Sequence, residues 1–314
     1  MASPPCLVAC ATAATTNAAT PALAMFGTPQ QQEQWLRPAL NGDLIAAIAI
    51  SEPDAGSDVG AIRTRATLDP DRQTWTINGS KMFITNGTRA DFLTLVAQTQ
   101  PGSGSRGISL FIVDTNRVGV HISASLDKLG MHASDTAFIA FDNVVVPNEA
   151  LIGLEPGQGF TQLMQQLQHE RLAGAAASVG HASDVLERTI TYARQRRTFG
   201  ATLASHQVIA HKLAEAATAL EAARQLLYGT VWRVQQGEYP VAEISMAKKY
   251  CAQMQHRVVD DCLQVWGGAG YLEDGGIARA YRDARLNRIG GGADEIMNEV
   301  IAKRLGLYRD DAPR

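Results

Sequence analysis

The chain has 314 residues, 46% of them hydrophobic, with a net charge of −3 and a pI near 6.2. That content supplies a substantial core and room for two domains. The near-neutral balance gives no global attraction to nucleic acid or to an anionic membrane. No apolar run approaches the ~18 residues of a membrane span, and LIAAIAI at 44–50 is only strand-sized.

The start, MASPPCLVACATAATTNAATPALA, has the small residues of a secretory signal but no basic n-region, since its first cation is Arg37. An alanine-rich helix is the plainer reading. The four cysteines, Cys6, Cys10, Cys251 and Cys262, form no CxxC pair. They read as unpaired thiols in a reducing, cytoplasmic setting.

Three zones follow in chain order. Residues 1–42 read as helical, with a turn at Phe26-Gly27-Thr28-Pro29 and a short helix, QQQEQWLRPAL, closed by Asn41-Gly42. Residues 43–156 are β-rich. TWTINGSKMFIT alternates after the turn DPDR, and FLTLVAQ, ISLFIVDT, VGVHIS and AFIAFDNVVVP continue the pattern. PGSGSRG at 101–107 is a loop and the segment most expected to be disordered.

Residues 157–314 are helical. Phe160, Leu163, Leu167, Ala175, Val179, Leu186 and Ile190 recur at helical spacing. A second helix runs from about His206 to Gln236, with Gly237 as its stop. A third starts at Pro240, read as the first helical position, and ends at Gly267-Gly268. A last one begins after Gly290-Gly291-Gly292, where Asp294 and Glu295 suit the helix dipole. Long antiparallel helices with short joins predict a four-helix bundle.

Several chemistries have no support. The histidines show no metal spacing, and His169-Glu170 lacks the second histidine of a zinc helix. There is no G-x-S-x-G and no Walker loop. GGAG at 267–270 ends a helix instead of following a strand, so it is no dinucleotide fingerprint. Glu170 is the unusual carboxylate, because Leu163, Leu167, Glu170 and Gly174 share one helix face. The helix alone leaves two readings open: a boundary residue reaching water, or a functional acid/base.

Five stretches, in order, carry a resemblance. ISEPDAGSD at 50–58, KMFITNG at 81–87, YARQRRTFG at 192–200, LQVWGGAGY at 263–271 and YRDARLNRIGGGADEI at 281–296 resemble the acyl-CoA dehydrogenase family. The resemblance covers about residue 20 to the end. It implies an α+β fold: residual N-terminal helices in 1–42, a β-barrel-like middle domain in 43–156 and a C-terminal four-helix bundle in 157–314. It also implies FAD, a CoA thioester substrate, electron-transfer flavoprotein as acceptor, and a homotetramer or homodimer. Most of the family's N-terminal helical domain is missing, so the chain reads as N-terminally shortened.

By the same resemblance, Ser51 stands where a hydroxyl contacts the flavin ring and Ser57 where a serine contacts the pyrophosphate. Phe83 takes an aromatic position against the ring, and Thr85 the hydroxyl near flavin N5. Ile50, Gly56 and Ile84 belong to the same cofactor set. Arg196, Phe199 and Gln207 match residues that reach the FAD of a neighbouring subunit. Gln264, Gly267 and Gly268 match the loop that receives its adenine half, and Glu295 stands where some members have Gln. His132 replaces a frequent Arg, and Ala293 a frequent Thr.

Medium- and short-chain relatives carry their catalytic glutamate at the position of Gly291, where this chain has none. Isovaleryl- and long-chain-type relatives carry it on the first bundle helix before an Arg, the position of Glu170-Arg171. The resemblance thus implies Glu170 as the base, with Arg171, Gly290 and Gly291 lining the substrate. Gly290 replaces a bulky residue of medium-chain relatives, which favours long, branched or bulky acyl groups. Two rival readings stay open: a same-fold flavin monooxygenase or oxidase, and a truncated non-catalytic scaffold.

Overall fold

The computed structural model describes residues 14–308. Cys6, Cys10 and most of the segment weighed as a signal lie outside them. By contact the chain divides into two compact units: residues 1–128 with 132–169, and residues 129–131 with 170–314.

The first unit is built on a sheet. Its strands are β1 (Ala46–Ala49), β2 (Arg65–Asp69), β3 (Thr74–Thr85), β4 (Phe92–Gln98), β5 (Ile108–Asp114), β6 (Val120–Ile122) and β7 (Thr136–Pro147). Among the described residues the order is β1-β4-β2-β3-β7-β6, with β5 paired to β4. β3 and β7 run antiparallel with two register shifts, one between Ile77 and Gly79 and one between Lys81 and Ile84. Trp75, Ile77, Leu93, Leu95, Phe111, Ile139 and Phe141 fill one side of the sheet, as the alternation of β3 requires.

The helices α1 (Pro21–Phe26), α2 (Pro29–Gln31) and α3 (Arg37–Asn41) belong to this unit. The expected turn at 26–29 forms around a capping box. Thr28 Oγ1 accepts from Gln31 N at 3.2 Å, and Gln31 Oε1 accepts from Thr28 N at 2.9 Å. Gln31 Nε2 then donates to Glu149 O and Leu151 O at 2.7 and 2.8 Å. Gly42 closes α3 at φ +87°, as Asn-Gly predicts. Residues 101–107 form a turn and a 3₁₀ helix, Gly104–Gly107, tied by Gln98 Nε2 donating to Gly104 O at 3.0 Å.

The second unit is helical. α4 (Gly159–Gln195) crosses the division: residues 159–169 pack in the first unit, through Leu163 and Leu167, and the rest in the second. α5 (Gln207–Gln235) and α6 (Val241–Trp266) are the other long helices. Ala175, Val179, Leu186, Leu220, Ala223, Leu227, Met254, Val258 and Cys262 share their core. Two details depart from expectation. Pro240 is the residue before the helix, at φ −83° and ψ +70°, and α6 begins at Val241. A short helix absent from the sequence-based expectation, α7 (Ile277–Ala284), and a 3₁₀ turn at Arg285–Arg288 precede the glycine run, and the last helix begins after the run as expected, as α8 (Asp294–Arg304). The glycine run keeps the 3₁₀ turn and α8 apart, because the left-handed backbone of Gly291 and Gly292 cannot continue a right-handed helix.

Candidate active site

The glycine run begins where Gly290 N donates to Leu286 O at 2.9 Å. Gly291 and Gly292 then take φ +65° and +104°. At Gly292 the backbone alone disfavours a side chain, and an added Cβ, 2.7 Å from Met297 Cε, would also have to displace the end of that flexible side chain. Gly290 is different. Its φ is not positive, and a Cβ there would meet only Leu286, at 3.7 Å or more. Asp294, 5% exposed, opens α8 and is held by Arg288 Nε at 2.7 Å and Gln253 Nε2 at 3.0 Å.

α4 brings the second motif to this run. A Cβ on Gly291 would lie 3.6 Å from Glu170 Oε1. Among the described residues no hydrogen bond engages the Glu170 carboxylate, and none takes up Gly291 N–H. Loss of water raises the Glu170 carboxyl above its ordinary value, while the nearby cations Arg171 and Lys248 pull it back. Arg171, expected to face substrate, is 5% exposed and donates through Nε to Gly291 O at 3.2 Å. Lys248, on α6, donates to Gly292 O. Chemically this is a half-buried carboxylate with a raised affinity for protons, beside an available peptide N–H. A carboxylate so placed can accept a proton, and such an N–H can receive developing negative charge.

In the first unit, Met82 N donates to Ser51 O at 2.8 Å, which lays the 50–58 turn along β3. The join is held from inside by Lys81 and Glu52, 0% and 7% exposed, paired at 2.8 Å. Lys81 Nζ also donates to Ile50 O at 2.9 Å, and Glu52 accepts from Arg63 N and Thr64 N. Next to this anchor the register shift turns Phe83 outward. It is 65% exposed and sits at φ +63°, rare for a bulky residue. Thr85 is exposed on the same strand, as are Gly56 and Ser57 in the turn, while Ile50 is half-buried. Ile84 is 2% exposed and belongs to the core, so only its backbone is available to a ligand.

Comparison with known proteins reads the same two regions. Residues 47–144 match the acyl-CoA dehydrogenase middle domain, and residues 157–306 the acyl-CoA dehydrogenase C-terminal domain. An acyl-CoA dehydrogenase structure from Geobacillus kaustophilus superposes with a TM-score of 0.90 at 38% identity, covering 93% of this chain and 76% of that one. The chain belongs to the acyl-CoA dehydrogenase family.

Among other members, the rat (Rattus norvegicus) mitochondrial long-chain specific acyl-CoA dehydrogenase is 40% identical over 91% of this chain, which spans 66% of that enzyme's length. A prolyl acyl carrier protein oxidase structure superposes with a TM-score of 0.92 at 32% identity, covering 96% and 79% of the two chains. Acyl-CoA dehydrogenase family members are FAD flavoproteins. The residues present fit a flavin. Phe83 offers an exposed aromatic face held by strained backbone, with Ser51 hydrogen-bonded into the same strand. In the second unit, Cβ atoms on Gly267 or Gly268 would meet nothing within 4 Å, so among the described residues no contact demands Gly268. A close-approaching ligand would demand it.

The rest of the residues matched to acyl-CoA dehydrogenases lie on the surface of the second unit. Arg196, Gln207, Gln264 and Glu295 are exposed, and Phe199 is 96% exposed at φ +49°. The loop after α6 is anchored by Trp266, which stacks on Tyr192 with centroids 4.1 Å apart and donates Nε1 to Thr189 Oγ1 at 3.0 Å. Sequence reasoning missed Lys248, Lys81 and Glu52. A lysine inside an apolar helical face was the available signal for Lys248, and the alternation of β3 for Lys81.

Proposed function

We propose that this chain carries out FAD-dependent α,β-dehydrogenation of an acyl-CoA thioester, with Glu170 as the base and a long, branched or bulky acyl group. The observation that carries the reading is the convergence of the two base positions. Glu170 Oε1 lies 3.6 Å from where a Gly291 side chain would begin, which supports one reaction volume for a carboxylate from either backbone site. Glu170 accepts the proton from the substrate α-carbon. Gly291 N–H donates to the thioester oxygen as charge gathers there. Arg171 holds the glycine run that lines the acyl group. Bound FAD supplies the acceptor for the hydride leaving the β-carbon. The missing side chain at Gly290, where a Cβ would meet only Leu286 at ordinary contact distance, supports acyl bulk near that carbon.

Family membership supports electron-transfer flavoprotein as acceptor. It also supports a homotetramer or homodimer in which Arg196, Phe199, Gln207, Gln264, Gly267, Gly268 and Glu295 serve FAD. The almost fully exposed Phe199 supports a covering subunit. The test is anaerobic: FAD-loaded protein is mixed with straight and branched acyl-CoAs without added reductant. Bleaching of the flavin is expected. An oxidised spectrum with every acyl-CoA overturns the proposal. The likeness to a prolyl acyl carrier protein oxidase raises an oxidase as second reading; stoichiometric hydrogen peroxide formed during turnover in air would favour it.

A further inference from the structure

Lys248 is 4% exposed, and a buried ammonium requires partners. Four charged groups surround it: Glu170 and Arg171 on α4, Arg288 in the 3₁₀ turn, and Asp294 at the start of α8. Asp294 Oδ2 is already engaged by Arg288 and Gln253. The hydrogen bond from Lys248 goes to backbone, at Gly292 O. Arg171 does the same one residue earlier, at Gly291 O, 3.2 Å from its Nε. Cations from two helices thus hold consecutive carbonyls of a stretch whose left-handed glycines carry no side chain to fix it.

We propose that Lys248 is a positioning residue for the Glu170 site: together with Arg171 it clamps the glycine run and fixes Gly291 N–H relative to the Glu170 carboxylate. This rests on the reading of Glu170 as base. Charge makes such a bond stronger than a neutral one. Burial lowers Lys248 to about 8, with Asp294 and Glu170 acting against that fall and Arg171 and Arg288 with it. The clamp therefore weakens as pH rises through that value, and Glu170 loses a cation that helps keep it ionised.

The experiment compares FAD-loaded wild type, Lys248→Met and Lys248→Arg. It reads anaerobic flavin reduction by the best acyl-CoA, FAD occupancy, and amide hydrogen exchange over residues 289–294. A slightly misplaced site costs on the order of 10²-fold, so Lys248→Met should lower the limiting rate by about that factor while FAD stays bound. Exchange over 289–294 should accelerate about tenfold or more, with α4 and α6 unchanged. Lys248→Arg should restore both. The wild-type rate should fall above pH about 8, and the Lys248→Arg rate should not, because guanidinium stays charged.

Unchanged exchange over the glycine run in Lys248→Met overturns the clamp. So does a Lys248→Arg variant as slow as Lys248→Met. If no acyl-CoA reduces wild-type flavin, the functional reading fails, and the exchange measurement still decides the clamp. If Lys248→Met does not fold, the pH dependence of exchange decides it. Wild type should lose protection above pH about 8 while Lys248→Arg keeps it, and equal behaviour overturns the proposal.

Discussion

Replacing Glu170 with glutamine keeps the side chain's size and removes only its ability to hold a proton as a carboxylate. Losing a general base costs on the order of 10²–10⁴-fold, so anaerobic flavin reduction should fall by that range. Stability should move the other way. The wild-type carboxylate makes no hydrogen bond among the described residues, so the amide forfeits none. Burial raises the folded-state value above 4.5, which means the folded chain holds the proton more tightly than the unfolded one. Wild-type stability therefore falls as pH rises from 4.5 toward the raised value. Glu170→Gln has no such titration and should gain on wild type across that window, keeping the gain at neutral pH. Adding Gly291→Glu should return part of the rate. Its Cβ would start 3.6 Å from the residue 170 side chain, but an L-residue at φ +65° costs roughly 1–2 kcal/mol. Stopped-flow reduction and thermal unfolding across pH read both effects. A Glu170→Gln variant that reduces its flavin at the wild-type rate would refute the assignment, and one that loses stability at neutral pH would refute the electrostatic argument.

At Gly290 the backbone accepts a side chain and a Cβ would meet Leu286 only at ordinary contact distance, so Gly290→Tyr should fold and shift relative kcat/KM toward short, straight acyl-CoAs; an unchanged ratio of branched to straight substrates counts against the pocket. Lys81→Met leaves Glu52 buried without its cation and should cost roughly 3–5 kcal/mol in urea unfolding. Adding Glu52→Gln should recover much of that loss, and strictly additive costs would show that the pair does not act as one unit. On dilution, FAD retention and oligomer size should fall together; a monomer by light scattering with full FAD would contradict cofactor sharing between subunits.

Much of this molecule was legible because local chemistry marks it. Asn41-Gly42 and Gly237 end helices at the left-handed positions their type predicts. The alternation of TWTINGSKMFIT follows a half-buried strand up to Lys81. The carboxylate present at 170 and absent at 291 could be weighed in the sequence, because the two motifs are recognisable one by one. What only the tertiary structure decided depends on partners distant in sequence. Strict alternation would turn Phe83 to the same side as Trp75, Ile77 and Lys81. The register shift against β7 reverses that, burying Ile84 and exposing Phe83. The burial of Lys81 and Lys248 is tolerable because the fold brings them a glutamate 29 residues away and a glycine carbonyl 44 residues away. Arg171 likewise faces a peptide carbonyl 120 residues on. A charge leaves water only when packing supplies its counterpart, and that counterpart is set by the fold.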